Sequence, residues 1–363
     1  MRHVADVSTP AVLVDVDVLE RNIARMAERA RAAGVRLRPH AKTHKLLEVG
    51  RLQLAAGAPG LTLAKTSEAE VFADGGFDDI FLAYPVVGAD KGRRLLALAE
   101  RIRLTVGVDS VDGARTLSGV FAAAGRRLDV RLKIDSGLHR VGVLPEQAMG
   151  VARALVDLPG LRLRGVFTFA GHAYGETHPD GIAAVGHHEG ATLVAVASAL
   201  RSAGLPADEV SVGSTPTAPH AMTVPGVTEC RPGVYAYNDA SQVSLGTCSL
   251  QDCALTVLAT VVSVPAPDRA VLDAGSKTVS SDPLRPEEQG FGWVLGRRAR
   301  LARLSEEHGV LAVEEGERFR VGERVRVLPN HACVVSNLHD RVLAVRGESV
   351  EAEWRVAARG RVE

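Results

Sequence analysis

The chain has 363 residues, of which 46% are hydrophobic, and this length is enough to build one large core and a smaller second one. Its 43 Lys and Arg residues balance 43 Asp and Glu residues, which excludes the basic patch that binding to nucleic acid or to an anionic membrane requires. Four cysteines are too few for a disulfide scaffold, and residues 1–10 lack the apolar segment of a signal peptide, so we expect a cytoplasmic protein that binds small molecules or another copy of itself.

Short β-branched segments alternate with amphipathic stretches through the first two thirds of the chain. The first helix is predicted to begin at Asp17, which together with Glu20 resembles a capping box, and to end at Gly34. Eight strand-helix units favour a (β/α)8 TIM-type barrel, while a doubly wound open sheet would give a similar pattern. The predicted strands are residues 12–16, 35–38, 61–64, 80–83, 104–108, 128–134, 163–169 and 210–213.

The pattern changes after about residue 244, where strand-like segments follow one another with turns between them. A basic stretch at residues 296–303 is predicted to be a solvated face or a loop. We therefore predict an α/β protein with a barrel domain of residues 1–244 and a C-terminal antiparallel β domain of residues 245–363, on which N-terminal residues could also pack. The predicted strands of the β domain are residues 255–264, 270–272, 310–313, 324–328, 341–345 and 350–356.

A basic motif, Arg-Pro-His-Ala-Lys-Thr-His-Lys at residues 38–45, follows the second predicted strand. In a barrel the C-terminal ends of the strands form the catalytic rim. A lysine that is desolvated or crowded by other cations loses its proton more easily, and its free amine can then form a Schiff base with an aldehyde cofactor. The alternative interpretation is a basic loop that binds nothing.

Three further side chains are predicted at the same rim. Arg140 follows the strand at residues 128–134 through a Ser-Gly turn, and its guanidinium suits an electron-rich ring atom; the alternative is a surface arginine. His172 and Tyr174 follow the strand at residues 163–169. A histidine at the rim suits acid or base chemistry on a substrate hydroxyl, because its pKa lies near operating pH, although a purely structural histidine is the alternative.

A phosphate-binding loop is predicted at residues 213–217, Gly-Ser-Thr-Pro-Thr, directly after a strand. Backbone N–H groups and hydroxyls at such a position can cradle a phosphate, and the late loops of a barrel commonly do so. An ordinary turn is the alternative. The segment Gly-Val-Tyr in the next loop offers more backbone donors. The predicted cofactor-binding residues here are Ser214, Thr215, Gly233, Val234 and Tyr235.

His331 and Cys333 are candidate metal ligands. On an extended segment their i, i+2 spacing would point both side chains to one face, where they could hold one metal ion. Two protein ligands leave coordination positions open, as in a catalytic rather than a structural zinc site. A His-x-Cys pair also arises by chance, so the spacing alone does not establish a metal site.

Six motifs together resemble those of one family, the D-serine dehydratases and D-threonine aldolases, which are alanine-racemase-like, fold-type III pyridoxal-phosphate enzymes. The resemblance extends over essentially the whole chain, and its motifs lie at residues 38–45, 133–142, 171–174, 213–217, 231–235 and 329–333. It implies that Lys42 carries pyridoxal 5'-phosphate, that Arg140 contacts the cofactor ring and that His331 and Cys333 bind a metal. It also implies a homodimer.

The resemblance implies one of two reactions on a D-amino acid. In this family the dehydratases carry His-x-Cys for zinc, whereas the aldolases typically carry His-x-Asp for a harder cation such as manganese, so Cys333 favours a zinc-dependent D-serine dehydratase. In that reaction Lys42 removes the α-proton, the β-hydroxyl is eliminated, and a keto acid and ammonia result. The alternative is a D-threonine aldolase that uses Mn²⁺ or another divalent cation, with His172 as a base, and yields glycine and an aldehyde.

Two other functions are less favoured. A non-catalytic protein that binds pyridoxal phosphate would have a single barrel, whereas the C-terminal segment here adds a β domain. A racemase needs a second base, usually a tyrosine from the β domain, and no tyrosine follows Tyr237.

Overall fold

The structure is a computed structural model that describes residues 2–284 and 289–363. The chain divides into two compact units. The barrel unit comprises Arg25–Lys42, Gly50–Gly233 and Arg361–Glu363, and the β unit comprises Met1–Ala24, Thr43–Val49 and Val234–Gly360. Every helix among the described residues is too short or too polar to span a lipid bilayer.

Strands are numbered along the chain, and the first two, β1 (Arg2–His3) and β2 (Ala11–Asp15), belong to the β unit. The barrel unit contains the next eight strands, all parallel, in the order β3-β10-β9-β8-β7-β6-β5-β4. A parallel bridge between His40, just beyond β3, and Thr62 in β4 joins the two edges and closes the barrel. These strands are β3 (Arg36–Leu37), β4 (Leu61–Leu63), β5 (Asp79–Pro85), β6 (Arg103–Val108), β7 (Leu128–Lys133), β8 (Leu161–Phe167), β9 (Glu209–Val212) and β10 (Glu229–Cys230).

Helices alternate with the barrel strands, which confirms the predicted (β/α)8 architecture. Seven of them lie between β3 and β10, among them the long α7, which connects β8 to β9. The helices that begin before β10 are α1 (Val16–Ala32), α2 (Leu47–Ala55), α3 (Thr66–Asp74), α4 (Ala89–Ala99), α5 (Val111–Ala123), α6 (Ala148–Val156), α7 (Pro179–Ser202) and α8 (Ala218–Ala221).

An ionic cluster lies within the barrel sheet, centred on Glu229 of β10. The Glu229 carboxylate is fully buried and accepts hydrogen bonds from Arg38 (2.8 Å), from Arg131 and from the hydroxyl of Ser211 (2.7 Å). Burial by itself would raise the pKa of Glu229, but Arg131 and Arg38 outweigh it and hold the pKa far below its usual range. The carboxylate therefore links β10 to β3, β7 and β9 as an anion.

The β unit is built on a ten-stranded sheet in the order β1-β18-β17-β2-β11-β12-β15-β14-β13-β16. A further pairing between β11 and β16 closes six of its strands into an antiparallel barrel, which confirms the predicted antiparallel β domain. Its strands after residue 250 are β11 (Leu255–Ala266), β12 (Arg269–Leu272), β13 (Gly292–Val294), β14 (Ala299–Leu304), β15 (Gly309–Val313), β16 (Arg324–Pro329), β17 (Arg341–Arg346) and β18 (Ser349–Arg355). The α-helices of the β unit after residue 234 are α9 (Ala240–Ser244), α10 (Ser276–Val279) and α11 (Ala332–Leu338).

One local prediction was wrong. The helix α1 is capped two residues earlier than expected, because the carboxylate of Asp15 accepts the N–H of Val18 at 3.0 Å, while Asp17 and Glu20 pair instead with Arg346. Part of the basic stretch at residues 296–303 forms the strand β14, in which Leu301 packs inward while Arg300 and Arg303 are exposed, so the stretch is a solvated face rather than a loop.

Candidate active site

Lys42 lies in a short 3-10 turn, Ala41–Thr43, that follows β3. Its Nζ atom is 5.7 Å from the ring centroid of Phe169, two residues past the end of β8. The guanidinium carbon of Arg140, in the loop after β7, is 5.3 Å from the same centroid. Both cations are within the range of a cation–π contact with this ring. The barrel unit thus brings Lys42 and Arg140 together at the C-terminal ends of its strands.

Lys45, the other lysine of the basic motif, is a structural anchor of the β unit. Its ammonium donates a hydrogen bond to Oδ1 of Asn337 at 2.9 Å, and its carbonyl accepts the N–H of Ala358 at 3.1 Å. Lys45 also adopts a left-handed backbone conformation with φ of 56°. Because these contacts hold Lys45 in place, its surroundings suit a structural role. The surroundings of Lys42, beside Phe169 and Arg140, suit a lysine that binds a cofactor.

The turn that carries Arg140 is fixed by Asp135. The Asp135 carboxylate accepts the backbone N–H groups of Gly137 (3.0 Å) and His139 (3.1 Å). Burial opposes ionisation, but these hydrogen bonds outweigh it and lower the pKa of Asp135. Gly137 has φ of +119°, and a Cβ atom there would lie 3.2 Å from Cε1 of His172. The loops after β7 and β8 therefore meet at a position that only glycine accommodates without strain.

His172 lies with Tyr174 in the 3-10 turn Gly171–Gly175 after β8. Its Nδ1 atom is buried and has no hydrogen-bond partner among the residues that the structure describes. A buried polar atom without a partner costs free energy, so such an atom is a candidate for contact with a ligand. This is the surrounding expected for a histidine that acts on a substrate.

The predicted phosphate loop has the backbone of a tight cradle. Gly213 has φ of +99°, and a Cβ atom there would lie 2.5 Å from Sγ of Cys230, so a side chain is excluded. The N–H of Ser214 donates to Oγ1 of Thr217 at 3.0 Å, and the two hydroxyls are 2.9 Å apart. Ser214 is thus engaged inside the loop, next to Thr215, which is also buried.

The segment Gly233 to Tyr235 crosses the boundary between the two units. Gly233 is the last residue of this part of the barrel unit, and Val234 begins the 3-10 turn Val234–Ala236 of the β unit. Val234 and Tyr235 are buried. Their part in cofactor binding stays a prediction.

A buried lysine that the sequence did not single out lies at the end of β7. Nζ of Lys133 is 4.8 Å from the ring centroid of Phe167 and makes no hydrogen bond or ion pair within residues 2–284 and 289–363. Burial, and next the positive charge of Arg231, lower the pKa of Lys133 well below its usual value. The Lys133 ammonium therefore loses its proton more readily than that of an exposed lysine.

His331 and Cys333 lie at the start of α11, with His331 as the N-cap residue and Cys333 in the first turn. The expected extended segment is therefore wrong, since the helix begins at Ala332. Nδ1 of His331 is 2.6 Å from Oδ2 of Asp282. Burial opposes protonation of His331, but Cys333, Asp239 and Asp282 outweigh it and raise its pKa to about 10.

The donor set at α11 fits a soft divalent metal. A histidine that donates Nδ1–H to a carboxylate keeps Nε2 available for a metal, and this arrangement is general in zinc sites. The Cys333 thiol donates to Oγ1 of Thr43 at 3.3 Å, so the sulfur lies beside the residue that follows Lys42 in the chain. Among residues 2–284 and 289–363, no group of three or more histidine, cysteine or acidic side chains is placed so that it could hold a metal.

The residues that the sequence missed share one property, which is that their role depends on contacts far along the chain. Phe169 lies at the end of the strand predicted at residues 163–169, and no motif marks it as a site residue. Asp282 contacts a histidine 49 residues away, and no local motif marks it. Lys133 does lie within a motif of the family, and this was its only signal.

Comparison with known proteins identifies the family. Residues 14–241 match the model described as the alanine racemase N-terminal domain, and residues 254–345 match the model of the D-serine dehydratase domain. The chain is 38% identical to the D-threo-3-hydroxyaspartate dehydratase of Delftia sp. strain HT23, over 95% of this chain and 96% of that protein. It is 33% identical to the D-threonine aldolase of an Arthrobacter species, over 98% of this chain and 94% of that protein.

A solved structure agrees with this assignment along the whole chain. A cysteine-to-alanine mutant of a D-threo-3-hydroxyaspartate dehydratase, in its metal-free form, superposes with a TM-score of 0.92 at 38% identity, covering 98% of this chain and 99% of that chain. The resemblance inferred from the motifs is confirmed, and the chain belongs to the alanine-racemase-like lyases that carry a D-serine dehydratase domain, a family that includes dehydratases and aldolases.

Proposed function

We propose that this lyase eliminates the β-hydroxyl of a D-β-hydroxy amino acid to give a keto acid and ammonia, with pyridoxal 5'-phosphate on Lys42 and zinc on His331 and Cys333. The observation that carries the proposal is the 3.3 Å contact between Sγ of Cys333 and Oγ1 of Thr43. Thr43 follows Lys42 directly in the chain, so the proposed metal donor contacts the residue next in sequence to the proposed cofactor lysine.

The donor set supports zinc over a harder cation. A thiolate and an imidazole are ligands that zinc prefers, whereas manganese and magnesium favour oxygen. The cofactor supplies an electron sink for the α-carbon, and the metal supplies a Lewis acid for the β-oxygen. His331 is held for this role by Asp282, and Cys333 by Thr43.

Lys42 is the residue proposed to move the α-proton. Once its amine is free it can take the proton from Cα, and the C–O bond at Cβ then breaks as the hydroxyl leaves. Water adds back when ammonia is released, so D-serine would give pyruvate and ammonia with no net consumption of water. Arg140, which shares the Phe169 ring with Lys42, is proposed to orient the cofactor ring.

His172 and the phosphate loop complete the proposed roles. The buried Nδ1 of His172 supports a contact with substrate, and Tyr174 lies in the same turn. The left-handed Gly213 supports a close approach of backbone to phosphate. The residues proposed to bind the phosphate are Ser214, Thr215, Gly233 and Val234, with Tyr235 beside them.

A metal-dependent D-threonine aldolase is the second candidate. The similarity to the Arthrobacter aldolase over nearly the full chain favours it. The same residues would then cleave the Cα–Cβ bond, with His172 as the base for the β-hydroxyl proton, and release glycine and an aldehyde. Cys333, where the family's aldolases typically carry aspartate, supports the dehydratase.

The products separate the two reactions. The purified protein, loaded with pyridoxal phosphate and with zinc or manganese, is incubated with D-serine, D-threonine and D-threo-3-hydroxyaspartate, and keto acid and glycine are assayed separately. Keto acid without glycine is the expected result. Glycine without keto acid would assign the aldolase reaction and contradict the proposal.

Two further properties stay predictions that the resemblance and composition support. We propose a homodimer in the cytoplasm. Size-exclusion chromatography with light scattering measures the mass in solution, and a single-chain mass of 38.3 kDa would contradict the dimer.

A further inference from the structure

A glutamate on α7 connects two loops of the barrel rim. Glu189 is fully buried, and its Oε1 accepts the backbone N–H of Ala170 at 3.2 Å and that of Gly213 at 3.0 Å. Its Oε2 accepts the hydroxyl of Thr217 at 2.8 Å. One carboxylate therefore holds the start of the loop that carries His172 and both ends of the predicted phosphate loop.

The hydrogen bonds continue from Glu189 into the phosphate loop. Oγ1 of Thr217, which donates to Glu189, itself accepts the N–H of Ser214 at 3.0 Å. The N–H of Gly213 therefore donates to the Glu189 carboxylate directly, and the N–H of Ser214 is linked to the same carboxylate through the hydroxyl of Thr217. Because buried N–H groups need partners, removal of the carboxylate leaves this backbone without its acceptors.

The sequence around Glu189 brings the carboxylate this close. Gly186 and Gly190 lie on either side of it, and a Cβ atom at Gly186 would be 2.8 Å from Cβ of His220. A Cβ atom at Gly190 would be 2.7 Å from Cγ2 of Val224. The two glycines allow α7 to pack closely against the segment that follows the phosphate loop.

We propose that Glu189 is a positioning residue that holds the phosphate loop and the His172 loop in their binding conformation. The inference rests on the proposed function, because it assumes that residues 213–217 bind the phosphate of pyridoxal phosphate. It assigns Glu189 no contact with the cofactor. Its effect on binding is exerted through the backbone of Gly213 and through Thr217.

The test compares ligands with and without a phosphate. Apoenzyme is titrated with pyridoxal 5'-phosphate, with pyridoxal and with inorganic phosphate, and Kd is measured for each. For Glu189→Gln and Thr217→Val we expect Kd for pyridoxal phosphate and for inorganic phosphate to rise about tenfold or more. Kd for pyridoxal, which lacks the phosphate, should stay within about twofold.

Matched variants control for charge and for folding. Asp180→Asn removes a carboxylate from the exposed start of the same helix and should bind all three ligands like wild type. Thr217→Ser keeps the hydroxyl that Thr217→Val removes, so it should bind pyridoxal phosphate like wild type. Thr217→Val leaves both backbone contacts of Glu189 in place, so it provides the answer if Glu189→Gln does not fold.

The outcomes distinguish failure of the role proposed for Glu189 from failure of the proposed function. Unchanged affinity for pyridoxal phosphate in both Glu189→Gln and Thr217→Val, or an equal loss for pyridoxal and pyridoxal phosphate, would overturn the role of Glu189 while leaving the proposed function intact. A wild-type protein that binds neither pyridoxal phosphate nor pyridoxal would overturn both.

Discussion

At the scale of single residues, the two lysines of the basic motif have different surroundings. Lys42 shares the ring of Phe169 with Arg140, whereas the ammonium of Lys45 donates to Asn337 in the β unit. A lysine that serves as a nucleophile must be able to give up its proton. A lysine fixed to an amide oxygen stabilises the fold instead.

Replacing each lysine in turn tests this division. Lys42→Ala is expected to abolish the absorbance of the lysine-bound cofactor and to lower kcat by about 10²- to 10⁴-fold, because the proton-transferring amine is lost. Lys45→Met should keep that absorbance and lower the free energy of unfolding by about 1–3 kcal/mol, because Oδ1 of Asn337 loses the ammonium donor and keeps only the N–H of Gly360. Loss of the absorbance in Lys45→Met alone would reverse the assignment.

Asp282 is predicted to control metal affinity through His331. Asp282→Ala removes the acceptor of Nδ1–H, so the ring is no longer fixed with Nε2 toward the metal, and zinc affinity should fall about 10- to 100-fold. Competition with a chromophoric chelator measures this affinity. Asp268→Asn, an exposed acidic position of the same unit, should bind zinc like wild type. Equal zinc affinity in Asp282→Ala and wild type would contradict the role of Asp282.

Sequence reasoning reached only those residues that a motif marks. It selected Lys42, Arg140, His172, His331 and Cys333 because motifs or strand ends pointed to them. It missed Phe169, Glu189 and Asp282, since their roles arise from contacts between segments distant in the chain. No periodicity or spacing encodes such contacts.

At the scale of secondary-structure elements, β10 shows how a very short strand can be well anchored. It has two residues, and one of them is Glu229, whose buried carboxylate receives two arginines. Removing one partner of a buried ionic group leaves the others uncompensated, which is costly. The strand is held by its charges as well as by its backbone pairing.

Glu229→Gln is therefore expected to lower the free energy of unfolding by about 3–5 kcal/mol at pH 7, measured by urea denaturation. The pKa of Glu229 is lowered by folding, so its ionisation stabilises the protein above the ordinary carboxylate pKa, and this contribution is lost as the pH falls. The difference between variant and wild type should therefore shrink in acid. Glu100→Gln, at an exposed pair with Arg126, should change stability by less than about 0.5 kcal/mol, and an equal effect in both variants would contradict the account.

The barrel strand predictions succeeded in number but not in every assignment, and in the β domain β13 and β14 were missed. The segment at residues 12–16 does form a strand, β2, but it pairs with β11 and β17 of the β unit. The eighth strand of the barrel is instead β10. The sequence pattern missed it because a strand of two residues, one of them a buried glutamate, gives no apolar signal. Pairing partners depend on the whole fold, so a local pattern cannot assign a strand to a sheet.

At the scale of the whole molecule, the chain combines a barrel that carries the proposed cofactor lysine with a β unit that carries the candidate metal pair. The second family model covers residues 254–345, which include His331 and Cys333. The chain crosses from one unit to the other between Lys42 and Thr43. The proposed cofactor lysine and the proposed metal ligands therefore lie in one polypeptide.

Dependence of the elimination on a metal tests the central claim most directly. Keto acid released from D-serine and D-threo-3-hydroxyaspartate is measured for the protein loaded with pyridoxal phosphate, before chelation, after removal of metal with EDTA, and after zinc is restored. We predict that chelation abolishes keto acid formation and that zinc restores it, because a metal held by His331 and Cys333 would activate the β-hydroxyl as proposed. Keto acid formation that persists undiminished after the metal has been removed would contradict the account.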